Sequence, residues 1–190
     1  ALEMPSNQKN VAHLLVKLLE TSSGFAREKA ARAISRFSRA HISNQDAIAA
    51  AGGIGLVVSL VEPRKLQTDG GPRGFGAVAV KHVEEIDPNS DAGQTAGEHH
   101  LIQKELASAL WGMSDKNPAN QAAIAKAGGV SLLISLISDH IDIHRDAAGA
   151  LWSLAADAGN RRLIAEQGGI PALVELLRTG KKNFAQETAA

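Results

Sequence analysis

His140 and His144 stand four residues apart with Asp139 and Asp142 between them, a set that could gather a zinc ion if the stretch were helical. The surrounding residues read as a turn between helices, and His99-His100 lie elsewhere, so a structural role is expected for the pair. Gly74-Phe-Gly-Ala-Val-Ala79 has the glycines that a dinucleotide loop needs for close phosphate approach. It lacks the preceding apolar strand and the acidic residue that a βαβ unit would place further on. There is no cysteine, which excludes a thiol nucleophile, a cysteine-built zinc ribbon, a disulfide framework and a cysteine-ligated iron–sulfur cluster. No Ser–His–Asp arrangement, phosphate loop or paired-carboxylate cleft is discernible from spacing. No catalytic, cofactor-binding or metal-binding residue is assigned, and the chain is expected not to be an enzyme.

The elements that hold these residues belong to a chain of 190 residues with 44% apolar side chains, enough for one ordinary domain with a sizeable core. Twenty basic residues balance twenty acidic ones, so wholesale phosphate binding is not expected, and 3% aromatics are few for a base-stacking surface. Nucleic acid is therefore not an expected partner. The longest charge-free stretch, Ala47 to Val61, is too short and too rich in glycine to span a bilayer, and Ala1 begins no recognisable signal peptide. A soluble protein of the cytoplasm or nucleus is expected.

Three phrases recur in fixed register. Asn44-Gln-Asp-Ala-Ile-Ala-Ala-Ala-Gly-Gly-Ile54 returns at Asn120 to Val130 and again at Asn160 to Ile170, at separations of 76 and 40 residues. Forty is the period, and the longer gap carries an insert of 36 residues. Ahead of each Asn stands an alanine-rich phrase: Ala31 to Ser38, Ala107 to Ser114, Ala148 to Ala155. After each glycine pair comes an apolar run: Leu56 to Val61, Leu132 to Ile137, Leu173 to Leu177. His13 to Leu19 is the same run without a glycine pair.

One unit reads as three helices. Asn120 is expected to cap a short helix reaching Ala127, with Pro118 turning the chain ahead of it. Gly128 and Gly129 supply the left-handed residue that ends this helix and redirects the next. Val130 to Ile137 fits a buried second helix, and a longer third helix is expected from about His144 to Asp157. Ala147, Ala148 and Ala150 permit close helix approach there, while Leu151, Trp152 and Leu154 supply bulk.

This pattern, Asn-x-x-x-Ile-Ala before Gly-Gly-Ile with Ala-Leu-Trp in the third helix, resembles the armadillo repeat family. The resemblance implies an all-α fold, a right-handed α-solenoid of three-helix units with one long loop insert. Residues 1–43 would be a partial repeat, 44–117 a repeat interrupted by insert 63–98, 118–158 a complete repeat and 159–190 a partial one, forming one domain over 1–190. Neither end reads as a polar cap, which suggests a piece of a longer chain or self-association. The family's third helices line a concave groove that holds an extended peptide or a partner helix, so a non-catalytic protein-binding scaffold with no cofactor is implied. The alternatives are the recognition or adaptor domain of a larger enzyme or transport machine, of ubiquitin-ligase or nuclear-import type, or a self-assembling anchoring element that forms homo-oligomers through its open ends.

The groove residues that the resemblance picks out depart from the family pattern. Where the family often places a peptide-gripping Asn, this chain has Arg36, Gly112 and Ser153, and four residues earlier it has Arg32, Ser108 and Gly149. A nuclear-localisation-signal receptor is thus not expected. Lys29, Arg32, Arg36 and Arg39 share one stripe of the first third helix, whereas Glu105, Asp115, Asp146 and Asp157 follow further along. A partner that is acidic at the N-terminal end of the groove follows from that gradient, although the stripe also reads as a solvated helix face. Trp111 and Trp152 hold equivalent positions, either as wedges between units, where Trp152→Ala would cost about 3–5 kcal/mol, or as exposed grips for a ligand. The insert, rich in Gly and Pro, carries apolar residues from Phe75 to Ile86 that could fold back over the groove.

Overall fold

A computed structural model describes residues 6–61, 91–139 and 141–179, and among them the regular structure is entirely helical. Ten helices follow in order: α1 (Ser6–Thr21), α2 (Gly24–Ala40), α3 (Ile42–Ala50), α4 (Gly53–Leu60), α5 (Asp91–Ser114), α6 (Pro118–Lys126), α7 (Gly129–Asp139), α8 (Ile141–Leu154), α9 (Ala158–Glu166) and α10 (Gly169–Thr179). Helices α3 to α5 and α6 to α8 are the two three-helix units; α1 and α2 precede them as second and third helices, and α9 and α10 follow as first and second. The result is an α-solenoid in which α2 packs on α5 and α5 on α8. Helix α5 begins at Asp91, inside the stretch expected as insert. The apolar segment from Phe75 to Ile86, the glycines of 74–79 and His140 lie outside the described residues.

The short first helices start where polar caps allow. Asn117 accepts a hydrogen bond on Oδ1 from the Asn120 amide at 3.2 Å, with Pro118 in the first turn, where a missing N–H costs nothing. Asp157 does the same for Asn160 at 2.8 Å, and the His41 ring nitrogen takes the Ser43 amide. The expected cap, Asn120, therefore lies one turn inside its helix. Its side chain is buried and donates to the Met113 carbonyl at 2.9 Å, just as Asn44 donates to Phe37 at 2.8 Å and Asn160 to Leu154 at 3.2 Å. Each closes a carbonyl at the end of a third helix, where no intrahelical donor remains. The recurring Asn is a brace between first and third helices.

Each glycine pair has two jobs. Gly52, Gly128 and Gly168 take φ of 82°, 88° and 82°, the left-handed conformation that closes the first helix, and between α6 and α7 the axis turns by 81°. The second glycine is needed for space. A Cβ on Gly53, Gly129 or Gly169 would stand 2.5 Å from Cγ2 of Ile48, Ile124 or Ile164, the isoleucine of the same phrase.

The core runs the length of the stack through Leu19, Ile34, Ile48, Leu110, Ile124 and Leu151, all fully buried. Ala107, Ala109, Ala147 and Ala150 are buried too, and their small side chains let α5 and α8 approach. At the two ends, apolar positions stay open: Leu14 and Leu18 on α1, and Ile170 and Val174 on α10. No described helix is by itself long and apolar enough to cross a membrane.

Candidate functional site

The third helices α2, α5 and α8 carry the residues expected to meet a partner, and the α2–α5 junction ties up most of the basic stripe. Glu28, buried on α2, takes Arg32 Nη2 at 2.8 Å and Lys29 Nζ at 3.1 Å. Arg32 also reaches α5, where Nε and Nη2 lie 2.9 and 2.8 Å from Glu105 Oε1. The hydrogen bond and charge of Glu105 raise the Arg32 pKa, so the guanidinium keeps its charge at any ordinary pH. Lys29 additionally sits 4.3 Å above the Phe25 ring. Arg36 stands exposed.

Arg39, in the last turn of α2, crosses α5. Its Nη2 donates to Ser108 Oγ at 2.9 Å and lies 3.5 Å from Asp146 Oδ1 on α8, while the guanidinium carbon is 4.8 Å from the centroid of the Trp111 ring. Ser108 is itself held by Ser35, whose Oγ lies 3.0 Å from Ser108 Oγ and 3.2 Å from its carbonyl. Gly112 makes room for this crossing: a Cβ there would meet the Ser35 carbonyl at 2.9 Å and Arg39 Cγ at 3.2 Å. Burial pushes the Asp146 carboxyl up, against the opposing pull of Ser108, Arg39, Arg145 and Lys104.

The twelve expected groove residues thus divide. Gly112, Gly149 and Ser153 are buried between helices and set their spacing, and Ser108 is buried beneath the Arg39 head group. Glu105 and Asp146 face the arginines of α2 across the helix junctions. Trp111 is half-buried as a wedge against Gly149, where a Cβ would stand 2.7 Å from ring atoms Cδ2 and Cε2. Trp152 is 61% exposed, so the wedge expectation and its large stability cost are corrected for this residue. Lys29, Arg36, Arg39 and Trp152 are the members that present substantial open surface. Asp157 caps α9 and is not part of the third-helix stripe. Asp115 follows α5, and its carbonyl accepts from Gln45 at 3.1 Å.

Two contributors escaped the sequence reading. Glu28 anchors both Lys29 and Arg32, and its signal was its place as the lone acid between Phe25 and Ala40. Ser35 occupies in α2 the register of Trp111 and Trp152, and that substitution of a small polar residue for an indole marks the seat of Ser108.

A family model described as armadillo/beta-catenin-like repeat matches residues 117–156, the α6 to α8 unit with its capping residue. The chain carries an armadillo repeat. Among its relatives, the splicing regulator ARVCF of Rattus norvegicus is 33% identical over 90 residues, covering 45% of this chain and 9% of that protein. Protein ARABIDILLO 2 of Arabidopsis thaliana is 44% identical over 59 residues, 30% of this chain and 6% of that one. The armadillo chain therefore spans less than a tenth of the length of these relatives. A designed armadillo repeat protein, solved in complex with the peptide (KR)4, superposes with a TM-score of 0.70 over 95% of this chain and 62% of its own, at 19% identity, which supports the fold.

Proposed function

We propose that this armadillo chain, read as one domain over residues 1–190, is a non-catalytic scaffold. On this reading it holds a peptide or protein partner along the groove formed by α2, α5 and α8, inside the cell, in cytoplasm or nucleus. The observation that carries the reading is the unequal use of the basic stripe. Arg32 is consumed by Glu28 and Glu105, whereas Arg36 projects from the same face into solvent with Lys29 and Arg39 on either side. An exposed cation on a preformed, rigid surface is suited to an acidic side chain of the partner, which would gain contact without ordering the scaffold.

Panning a random peptide library against the immobilised chain tests this. Selected peptides should be enriched in Asp and Glu, bind more weakly as salt rises, and lose most of their affinity for Arg36→Glu, a surface exchange expected to leave stability within about 0.5 kcal/mol. Failure to select any peptide, or selection of peptides indifferent to Arg36→Glu, would overturn the reading.

A further inference from the structure

Arg32 and Arg39 leave the same helix and reach for carboxylates on other helices, but their settings differ. Arg32 places two nitrogens within 2.9 Å of Glu105 and a third contact, at 2.8 Å, on Glu28. That is a closed ion-pair group of the length expected for charge-assisted hydrogen bonds. Arg39 has one short bond, to the neutral hydroxyl of Ser108, and stands 3.5 Å from Asp146, while 43% of its side chain remains exposed. Asp146 is 8% exposed and carries the cost of that burial in its raised pKa. Its charge is met from α2 only at a distance.

What surrounds the Arg39 head group has the chemistry of a binding site. An indole face, a hydroxyl acceptor and a carboxylate converge on one planar cation, and all three come from α5 and α8. From α2 come the arginine itself and Ser35, whose hydroxyl holds Ser108. Gly149 backs the Trp111 ring from α8, which fixes the plane on which the cation stacks, and Gly112 keeps the approach across α5 free of a side chain. Planarity and several divergent donors distinguish guanidinium from ammonium here: it can stack on the indole and still direct N–H groups to Ser108 and Asp146.

We propose that Ser108, Trp111 and Asp146 form a guanidinium site which Arg39 occupies as a tethered ligand, and that an arginine side chain of a bound peptide takes the site by displacing it. This rests on the scaffold reading and refines it. Displacement releases the Arg39 charge one helical turn from Arg36, so a partner that inserts an arginine also meets two cations for its acidic residues. Arg39 then acts as a built-in competitor that lowers affinity for peptides lacking the arginine.

The test uses a small probe, N-acetyl-arginine methylamide, with N-acetyl-lysine methylamide beside it. Trp152→Phe makes Trp111 the single indole, whose fluorescence and side-chain N–H resonance report occupancy. Removing the competitor with Arg39→Ala should tighten binding of the arginine probe by roughly ten-fold, the factor lost when a site is free about a tenth of the time. The probe should also raise the melting temperature of Arg39→Ala, and the lysine probe should bind more weakly. Adding Asp146→Asn to Arg39→Ala should abolish the gain. Equal affinity of the parent and Arg39→Ala, or binding that survives Asp146→Asn, overturns the proposal. Should Arg39→Ala not fold, Arg39→Gln keeps much of the aliphatic stem and serves in its place. Because the probe is a single residue, failure of peptide panning and failure of this titration are separate results.

Discussion

The Cα of Gly149 on α8 lies so close to the indole of Trp111 on α5 that a methyl group there would come within 2.7 Å of two ring carbons. Alanine normally stabilises a helix interior relative to glycine by about 1 kcal/mol, but overpacking a tight contact costs about 1–3 kcal/mol. Gly149→Ala is therefore expected to destabilise the chain, and in a Trp111→Ala background the same exchange should become stabilising. Urea denaturation of the four proteins of this cycle measures it; a sign that does not change with Trp111 would show that the indole is not what glycine accommodates.

The two tryptophans, alike in sequence, should respond differently. Trp111→Ala removes a half-buried wedge and is expected to cost about 2–3 kcal/mol, while Trp152→Ala, at 61% exposure, should cost less than about 1 kcal/mol. Melting curves of the two single variants decide this.

Asn120 is expected to be more sensitive than either. Alanine leaves the Met113 carbonyl without its buried donor, a loss of about 1–3 kcal/mol, and aspartate, which keeps the shape but cannot donate and brings a charge towards a carbonyl, should be worse. Equal stability of Asn120→Ala and the parent would show that the brace contributes nothing.

Burial raises the Asp146 carboxyl above its ordinary 3.8. A carboxyl with a raised folded-state pKa holds its proton better folded than unfolded, so its contribution is fully present below the unfolded pKa and is lost as pH rises through the folded value. Asp146→Asn lacks this term. Relative to the parent, the variant should therefore gain stability between about pH 3.5 and about pH 7, as read from denaturant midpoints at the two ends. A constant difference, or one of opposite slope, would mean that Arg39 and Ser108 outweigh burial.

The repeats were legible because each job within a unit demands a particular residue. Only glycine fits both the left-handed turn at Gly128 and the isoleucine contact at Gly129, so these pairs announce themselves. The Asn brace was read as a cap because Asn117 and Asn120 are both good capping residues, and preference alone does not tell which begins the helix. The basic stripe was visible, but its neutralisation was not. The pairing of Arg32 with Glu105 depends on how α2 registers against α5, and helical periodicity carries no information about residues 73 positions apart. The difference between the two tryptophans was hidden for a related reason: the burial of an indole depends on the residue of another helix that stands against it, as Gly149 does against Trp111.

Cross-unit contacts fall into two rows of different chemistry. Along the first helices, side-chain amides do the joining: Asn117 donates to Asp46 Oδ1 at 2.8 Å, and Asn160 to the Gln121 carbonyl at 3.4 Å. Along the third helices, charged groups join Arg32 to Glu105 and Arg39 to Asp146, with the arginines partly in water. Dissolved ions weaken the second row, where two charges attract, more than the first, where an amide is always one of the partners. The stack is thus built like a bimetallic strip in electrostatic form, with one row of joints more sensitive to ionic strength than the other, and its bend is expected to answer to the salt around it.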